Sequence, residues 1–100
     1  VQIGMTMHHA GIEIARDRLN KVALQRSVVN GEMFNPQGAV AAGFLDVVVS
    51  PEELQGAALA AARQLKKINM TAHKNTKLKV RKALLEALDN AIIQDQEHLG

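Results

Sequence analysis

Apolar side chains at helical spacing are the feature that most constrains the fold of this chain. Between residues 54 and 68 they recur every three or four positions and form one stripe, made of Leu54, Ala57, Ala58, Ala61, Leu65 and Ile68. Such a stripe predicts an amphipathic helix that packs against a neighbouring surface. The preceding Ser50-Pro51-Glu52-Glu53 has the S-x-x-E pattern of a capping box, which predicts that Ser50 caps this helix.

The first half of the chain shows similar periodicity. Residues 10–29 carry apolar side chains at helical intervals with charged residues between them, which predicts one broken helix or two short ones ending at Asn30-Gly31. Asn35-Pro36 predicts a new helix start, since Asn caps well and Pro fits the first turn. Gly43 predicts its end.

The segment 47–49 is the one exception to the helical pattern. Three consecutive β-branched valines between Asp46 and Ser50 predict a short strand there. The expected fold class is therefore mainly α with one short strand.

A last, long helix is predicted from a cap at Thr71. Some of its apolar residues fall seven positions apart, which indicates packing against another helix, from this chain or from another one. This heptad seam consists of Leu78, Leu85, Ile92 and Leu99, joined by Leu84, Leu88 and Ala91.

Charge is distributed unevenly along this predicted helix. Its first half is basic, with His73, Lys74, Lys77, Lys79, Arg81 and Lys82, and its second half is acidic, with Glu86, Asp89, Asp95 and Glu97. This order opposes the helix macrodipole, which favours acids at the start and bases at the end. The basic part therefore either meets a ligand or partner or is a solvated face, and the solvated face is the favoured alternative.

Composition excludes several classes of protein. The 100 residues include no cysteine, so disulfides and cysteine-based zinc sites are excluded, and a reducing, cytoplasmic location is expected. No apolar run is long enough to span a bilayer. Aromatic residues make up 2% and the net charge is +2, which disfavours nucleic-acid binding. The chain opens at Val1 inside an apolar stretch, so we expect a piece of a longer protein.

No complete catalytic or metal-binding motif is present. His8 and His9 are adjacent, and neighbouring helical residues point about 100° apart, so they do not suit one metal ion. Glu13 and Asp17 share a helix face at i and i+4, but Arg16 and Arg18 flank them, which favours a salt-bridged surface over an acid–base pair.

Four segments follow one another in a distinctive order: VQIG before the first helix, VVNGEMFNPQGAVAAGFLDVVV, SPEELQGAALAAARQLKKI and NMTAHKNTKL. This order resembles the C-terminal portion of the crotonase (enoyl-CoA hydratase/isomerase) superfamily. A family pattern that links a short helix to a short strand is matched by Gly31, Ala39, Ala42, Gly43, Phe44, Leu45, Asp46, Val48 and Val49. Ala72 and Lys77 match the family's following helix. The resemblance implies the helical C-terminal part of an α/β spiral fold, in which residues 1–49 end the spiral core and residues 50–100 form assembly helices.

The resemblance also implies an enzyme that acts on acyl-CoA thioesters, with coenzyme A as part of the substrate and no tightly bound cofactor or metal. In the family, two backbone N–H groups form an oxyanion hole and carboxylates move protons or activate water. The oxyanion hole and the first carboxylate lie upstream of this chain. The second carboxylate, from a P-E-x-x-x-G segment, falls immediately before Val1, with Gly4 as the matching glycine. We therefore expect the chain alone to be inactive and its missing N-terminal half to be a partner.

Two groups of candidate site residues follow from the resemblance. The family's Pro-Gly-x-Gly-Gly turn, whose N–H groups face the acyl pocket, corresponds to residues 7–11 with only Gly11 matching. His8, His9 and Gly11 are therefore candidates to line the pocket, and either histidine is suited to acid–base behaviour near neutral pH. Basic residues often hold CoA phosphates in this family, and the candidates here are Lys74, Lys77 and Lys82.

Family members assemble into trimers through these helices, so a homo-oligomer, either a trimer or a hexamer, is expected. The alternative is a non-catalytic helical oligomerisation or interaction module. Weak nucleic-acid binding through residues 73–82 is a third, disfavoured hypothesis, and no membrane partner is expected.

Overall fold

The computed structural model describes residues 4–99, except for the side chains of residues 98 and 99. Within this range the chain is helical and contains no strand, which confirms the mainly α class. The helices are α1 (His9–Arg18), α2 (Lys21–Leu24), a π-helical turn that continues it (Gln25–Val29), α3 (Pro36–Ala42), α4 (Leu54–Lys66), α5 (Met70–Val80) and α6 (Lys82–Leu99).

The predicted break in the first helical stretch lies between α1 and α2. Asn20 caps α2, because its Oδ1 accepts a hydrogen bond from the Ala23 N–H at 2.9 Å. Its Nδ2 donates to the carbonyl oxygens of Ala41 and Ala42, at 3.0 and 3.3 Å. One side chain thus joins the start of α2 to the end of α3. The small core lies at this junction and is formed by Leu19, Ala23 and Ala42 with Ala15, Leu24 and Phe34 around them.

Both predicted ends of α3 are confirmed. Asn35 caps the helix by accepting from the Gly38 N–H at 2.7 Å, and Pro36 occupies the first turn. Gly43 ends it with φ of 108°, a left-handed conformation that favours glycine. The end of α3 also lies close to the end of α1, since Arg18 donates to the Asp46 carboxylate at 2.7 Å.

Three local predictions are wrong. Residues 47–49 form no strand, because a strand needs a backbone partner and residues 4–99 provide none; the Val47 side chain is instead 73% exposed. Ser50 does not cap α4: the Ser50 carbonyl accepts from the Glu53 N–H at 3.0 Å in a turn, and α4 starts only at Leu54. The next helix is capped by Asn69, which accepts from the Ala72 N–H at 3.0 Å, and not by Thr71.

The predicted long last helix is divided in two. Arg81, with φ of −94° and ψ of 9°, separates α5 from α6. The backbone hydrogen bonds Arg81 N–H to Lys77 O and Leu85 N–H to Arg81 O continue across the break at 3.0 and 2.9 Å. The segment contains no Gly or Pro, and nothing in its local sequence explains the break.

Helix α6 packs back against α1 and is its main partner. The joining residues of the predicted seam face inward: Ala91 is buried, and Leu84 and Leu88 are half-buried. The seam residues Leu78, Leu85 and Ile92 are instead 48%, 44% and 49% exposed, while the Leu99 side chain lies outside the described part.

Helix α4 carries most of the apolar stripe between residues 54 and 68, yet all of its residues are exposed. Leu54, Leu65 and Ile68 are 61%, 53% and 44% exposed. The stripe therefore finds no covering surface within the described residues. No helix among residues 4–99 has the length and apolar character needed to cross a bilayer.

Candidate functional site

The N–H groups in the first turn of α1 are capped by side chains from two different parts of the chain. The Asp95 carboxylate, on α6, accepts from the His9 N–H at 2.8 Å through Oδ1 and from the Ala10 N–H at 3.0 Å through Oδ2. His8 Nδ1 accepts from the Gly11 N–H at 3.0 Å. Since the first N–H groups of a helix have no partner within the helix, these three acceptors satisfy the groups that would otherwise be free.

The environment of Asp95 favours its charged form. The hydrogen bond from Ala10 N–H is the largest cause that lowers the pKa of this carboxyl below its ordinary value, and the His9 N–H acts in the same direction. Partial burial opposes this effect, while the positive charge that His8 and His9 can carry adds to it. His8 Nδ1 lies 3.9 Å from Asp95 Oδ2. The carboxylate also sits at the positive end of the α1 macrodipole.

His8 and Gly11 fit each other closely. A Cβ at residue 11 would lie 2.9 Å from His8 Cε1, 3.2 Å from His8 Nδ1 and 3.0 Å from Met7 Cε. The imidazole therefore occupies space that is open only because residue 11 is glycine. A ring nitrogen that accepts a hydrogen bond carries no proton, so the neutral His8 ring holds its proton on Nε2.

An apolar groove of about 440 Å³ lies beside this capped turn. One wall is the segment that leads into α1, and the other is the π-helical turn after α2. Its lining consists of Gly4, Met5, Thr6, Met7, Ile12, Val28 and Val29. His8, His9 and Gly11 are not in this lining as far as the described residues go, but they directly follow Met7 and fix the turn that forms one wall. The exposure of Met5 is 65% and that of Val29 is 56%, so the groove is open.

The π-helical wall of the groove is stabilised by an ion pair and a cation–π contact. Arg26 pairs with the Glu32 carboxylate through two hydrogen bonds, of which Nε to Oε2 measures 2.6 Å, and its guanidinium lies 5.4 Å from the Phe34 ring centroid. The Arg26 hydrogen bond is the main cause that lowers the pKa of Glu32 and, reciprocally, raises that of Arg26. Single π-helical turns occur frequently at functional sites.

The candidate CoA-binding lysines lie far from the groove in sequence and on different helices. Lys74 and Lys77 are on α5 and Lys82 begins α6; all three are exposed. None of them forms an ion pair with another described residue.

The break between α5 and α6 changes how the charge distribution is interpreted. With α5 ending at Val80, Lys77 and Lys79 lie in its last turn, where the macrodipole favours basic residues. The conflict between charge order and dipole therefore disappears for α5, whereas α6 still begins with Lys82 and carries Asp95 and Glu97 near its end.

Within residues 4–99, the other titratable residues do not gather into a second site. Glu13 pairs with Arg16 at 3.0 Å, as the salt-bridged interpretation of this face predicts. No group of three or more His, Cys, Asp or Glu residues within positions 4–99 has an arrangement that could hold a metal ion.

Sequence reasoning missed Asp95. It appears in the sequence only as one acid among several on the last helix, and its partners His9 and Ala10 lie 86 and 85 positions away. A capping interaction over such a distance has no local signal, and only the packing of α6 on α1 brings it about.

Similarity of this chain to known proteins is found among solved structures. No family model matches the sequence, and no curated protein is significantly similar to it. Among solved structures, an enoyl-CoA hydratase/isomerase family protein from Pseudomonas syringae is 76% identical, with a TM-score of 0.95 over 97% of this chain. An enoyl-CoA hydratase from Mycobacterium ulcerans is 34% identical over 99% of the chain, with a TM-score of 0.92. An enoyl-CoA isomerase from Mycobacterium tuberculosis is 35% identical over 96%, also with a TM-score of 0.92.

The matched region is the C-terminal helical part of these proteins. The chain spans 42%, 43% and 42% of their respective lengths. The resemblance seen in the sequence is thus confirmed, as is the restriction of that resemblance to a C-terminal portion.

Proposed function

Because this chain belongs to the enoyl-CoA hydratase/isomerase (crotonase) superfamily as a C-terminal portion, we propose that it is part of an enzyme acting on acyl-CoA thioesters. In this proposal residues 1–49 complete the catalytic core and residues 50–100 are assembly helices. The N-terminal part of the parent protein supplies the oxyanion hole and the catalytic carboxylates, and this chain alone is inactive.

The observation that carries the proposal is the apolar groove beside the capped start of α1. Its lining between Gly4 and Met7, with Ile12, Val28 and Val29, is apolar apart from Thr6 and suits an acyl chain. His8 and His9 follow this lining directly and are the side chains proposed to border the acyl pocket.

The first three N–H groups of α1 already have hydrogen-bond acceptors. A thioester oxygen needs free N–H donors, whereas the N–H groups of His9, Ala10 and Gly11 already donate to Asp95 and His8. These three N–H groups are therefore not assigned to an oxyanion hole, and stabilisation of an enolate-like transition state is assigned, by family resemblance, to N–H groups upstream of this chain.

The test uses the full-length protein that contains this chain. Hydration of a short 2-enoyl-CoA, crotonyl-CoA, and double-bond shift in a 3-enoyl-CoA are followed by loss or gain of the conjugated thioester absorbance. Turnover of either thioester supports the proposal, and turnover of neither one rejects it. His8→Ala is then compared with His73→Ala on α5, at a temperature where both variants are folded. A lower turnover for His8→Ala alone supports a role of His8 beside the groove, as a lining residue or through its cap of α1, and unchanged turnover excludes it.

Binding of the CoA phosphates is assigned to Lys74, Lys77 and Lys82. Their exposure and lack of acidic partners within the described residues leave their charges available to a phosphate. Substituting these lysines with Gln is expected to weaken CoA binding and its salt dependence, measured by calorimetry. Arg63→Gln, Lys66→Gln and Lys67→Gln, which remove three exposed charges at the end of α4, are the matched controls. CoA affinity that is the same in both sets would reject this assignment.

A second candidate function is assembly alone, and the exposed apolar faces favour it. The seam residues Leu85 and Ile92 and the stripe of α4 present apolar surface that needs a covering partner. We assign these faces to the missing N-terminal half and to further copies, in a trimer or hexamer. Leu85→Glu is expected to reduce association in sedimentation experiments, whereas Gln94→Glu, which adds the same charge to α6, is not. An oligomer that assembles but ignores CoA and acyl-CoA favours the non-catalytic module.

A further inference from the structure

The Asp95 carboxylate is the connection between the last helix and the turn beside the groove. It reaches from α6 to the N–H groups of His9 and Ala10, the first two of α1, at 2.8 and 3.0 Å. Each carboxylate oxygen accepts from one of the two N–H groups, so the carboxylate restrains both amides of the turn. α1 and α6 also pack along their lengths, which holds the carboxylate in register with the turn.

The turn in question forms a wall of the groove. Met7 lines the groove immediately before His8 and His9, and Ile12 lines it one position after Gly11. Lining residues thus stand on both sides of the amides that Asp95 holds. A shift of these amides moves Met7 and Ile12 together, and with them the apolar surface that meets the ligand.

We propose that Asp95 is a positioning residue for the acyl-thioester site, through which docking of α6 on α1 sets the geometry of the groove wall. This inference rests on the proposed function. Asp95 touches no substrate in this scheme. It acts through the His9 and Ala10 amides, so that the C-terminal assembly helix and the active site are mechanically linked.

The amide substitution Asp95→Asn separates positioning from packing. Asparagine has nearly the same size as aspartate, but its side chain offers only one oxygen acceptor, and its NH₂ group faces an N–H donor. One of the two amides therefore loses its partner while the volume between α6 and α1 is kept. Asp89→Asn is the matched control, because Asp89 lies on the same helix and is exposed.

The experiment compares wild type, Asp95→Asn and Asp89→Asn in the full-length protein, at a temperature where circular dichroism shows all three to be folded. Amide hydrogen exchange is measured at His9 and Ala10, and kcat and KM are measured with crotonyl-CoA or with the 3-enoyl-CoA that the wild type accepts. For Asp95→Asn we expect faster exchange at one or both amides. We also expect kcat to fall roughly 10- to 100-fold, as for a small displacement of a site, with KM changed less than about three-fold. Asp89→Asn is expected to behave as wild type.

Three results overturn the inference while leaving the proposed function intact. Unchanged exchange in Asp95→Asn means that the carboxylate does not hold the turn. Faster exchange with unchanged kcat means that Asp95 caps α1 without positioning the site. Equal losses in Asp89→Asn mean that the effect comes from the charge of α6. A wild type without turnover on either thioester overturns the proposed function and the positioning role with it, while the exchange data still report whether Asp95 caps α1.

Discussion

The His8 imidazole occupies the space that a side chain at Gly11 would need. Its Nδ1 accepts from the Gly11 N–H at 3.0 Å, and its Cε1 would lie 2.9 Å from a Cβ on that residue. The cap formed by His8 therefore depends on the absence of a side chain three positions later. The pairing is built into the His8-His9-Ala10-Gly11 turn and gives His8 a structural role.

The first prediction is that Gly11→Ala displaces the His8 ring and abolishes its capping contribution. In the wild type, His8→Ala is expected to cost about 1 kcal/mol, as for loss of other helix caps. In the Gly11→Ala background the same change is expected to cost only a few tenths of a kcal/mol. Urea unfolding of the four variants completes a double-mutant cycle. An equal cost of His8→Ala in both backgrounds would contradict the prediction.

The second prediction concerns the pH dependence of stability that Asp95 contributes. Because its native pKa is lowered, the carboxylate contributes stability fully above the unfolded-state pKa of about 3.9. That contribution is lost as pH falls from this value through the lower native pKa. The unfolding midpoint in urea is therefore expected to decrease more steeply toward acid in wild type than in Asp95→Asn. Asp89→Asn should retain the wild-type slope; parallel curves for wild type and Asp95→Asn would refute the prediction.

The third prediction distinguishes the two roles of Asn20. Serine retains an oxygen that caps a helix but is too short to donate to the carbonyls of Ala41 and Ala42. Asn20→Ser is therefore expected to cost roughly 0.5–1.5 kcal/mol, the net value of a hydrogen bond, through the lost side-chain bonds to α3, while the backbone bond from the residue 20 N–H to Ala42 O at 3.2 Å remains. The control is Asn35→Ser, where Asn35 only caps α3, and it is expected to be nearly neutral. The measurement is the free energy of unfolding in urea, and equal costs at both sites would mean that the link contributes nothing.

The sequence correctly predicted several helix ends, because these depend on contacts between residues close together in the chain. The end of the first helical stretch at Asn30-Gly31 and the start of α3 at Asn35-Pro36 are correct because each cap and its partner lie within a few residues. The same local reasoning failed at residues 50–53, where a capping-box pattern formed a turn instead. A pattern of this kind permits a cap but does not ensure that the backbone adopts the cap geometry.

Most of the features that were predicted wrongly or missed depend on contacts between residues far apart in the chain. The valines at 47–49 have a strong strand preference, but the described chain offers no neighbouring strand, so propensity alone produced a wrong prediction. Asp95 was not singled out, because its partners lie at the opposite end of the sequence. The division of α5 from α6 at Arg81 also escaped prediction, and it changed the interpretation of the basic residues. The candidate turn was found from the family resemblance, whereas its cap became visible only in the structure.

The fourth prediction compares two glycines, Gly43 and Gly56, that differ in backbone conformation and in the space around them. Gly43 has φ of 108°, and a Cβ there would lie 2.6 Å from the Arg18 carbonyl oxygen, a backbone atom that cannot turn aside. Gly43→Ala is expected to cost at least about 2 kcal/mol, from the left-handed conformation and the clash together. Gly56, within α4, has open space where a Cβ would lie, so Gly56→Ala is expected to stabilise the protein by about 0.5–1 kcal/mol through helix propensity. Unfolding in urea measures both. Because the left-handed Gly43 lets the end of α3 approach the end of α1, a tolerated Gly43→Ala would mean that this junction is not what holds the small core together.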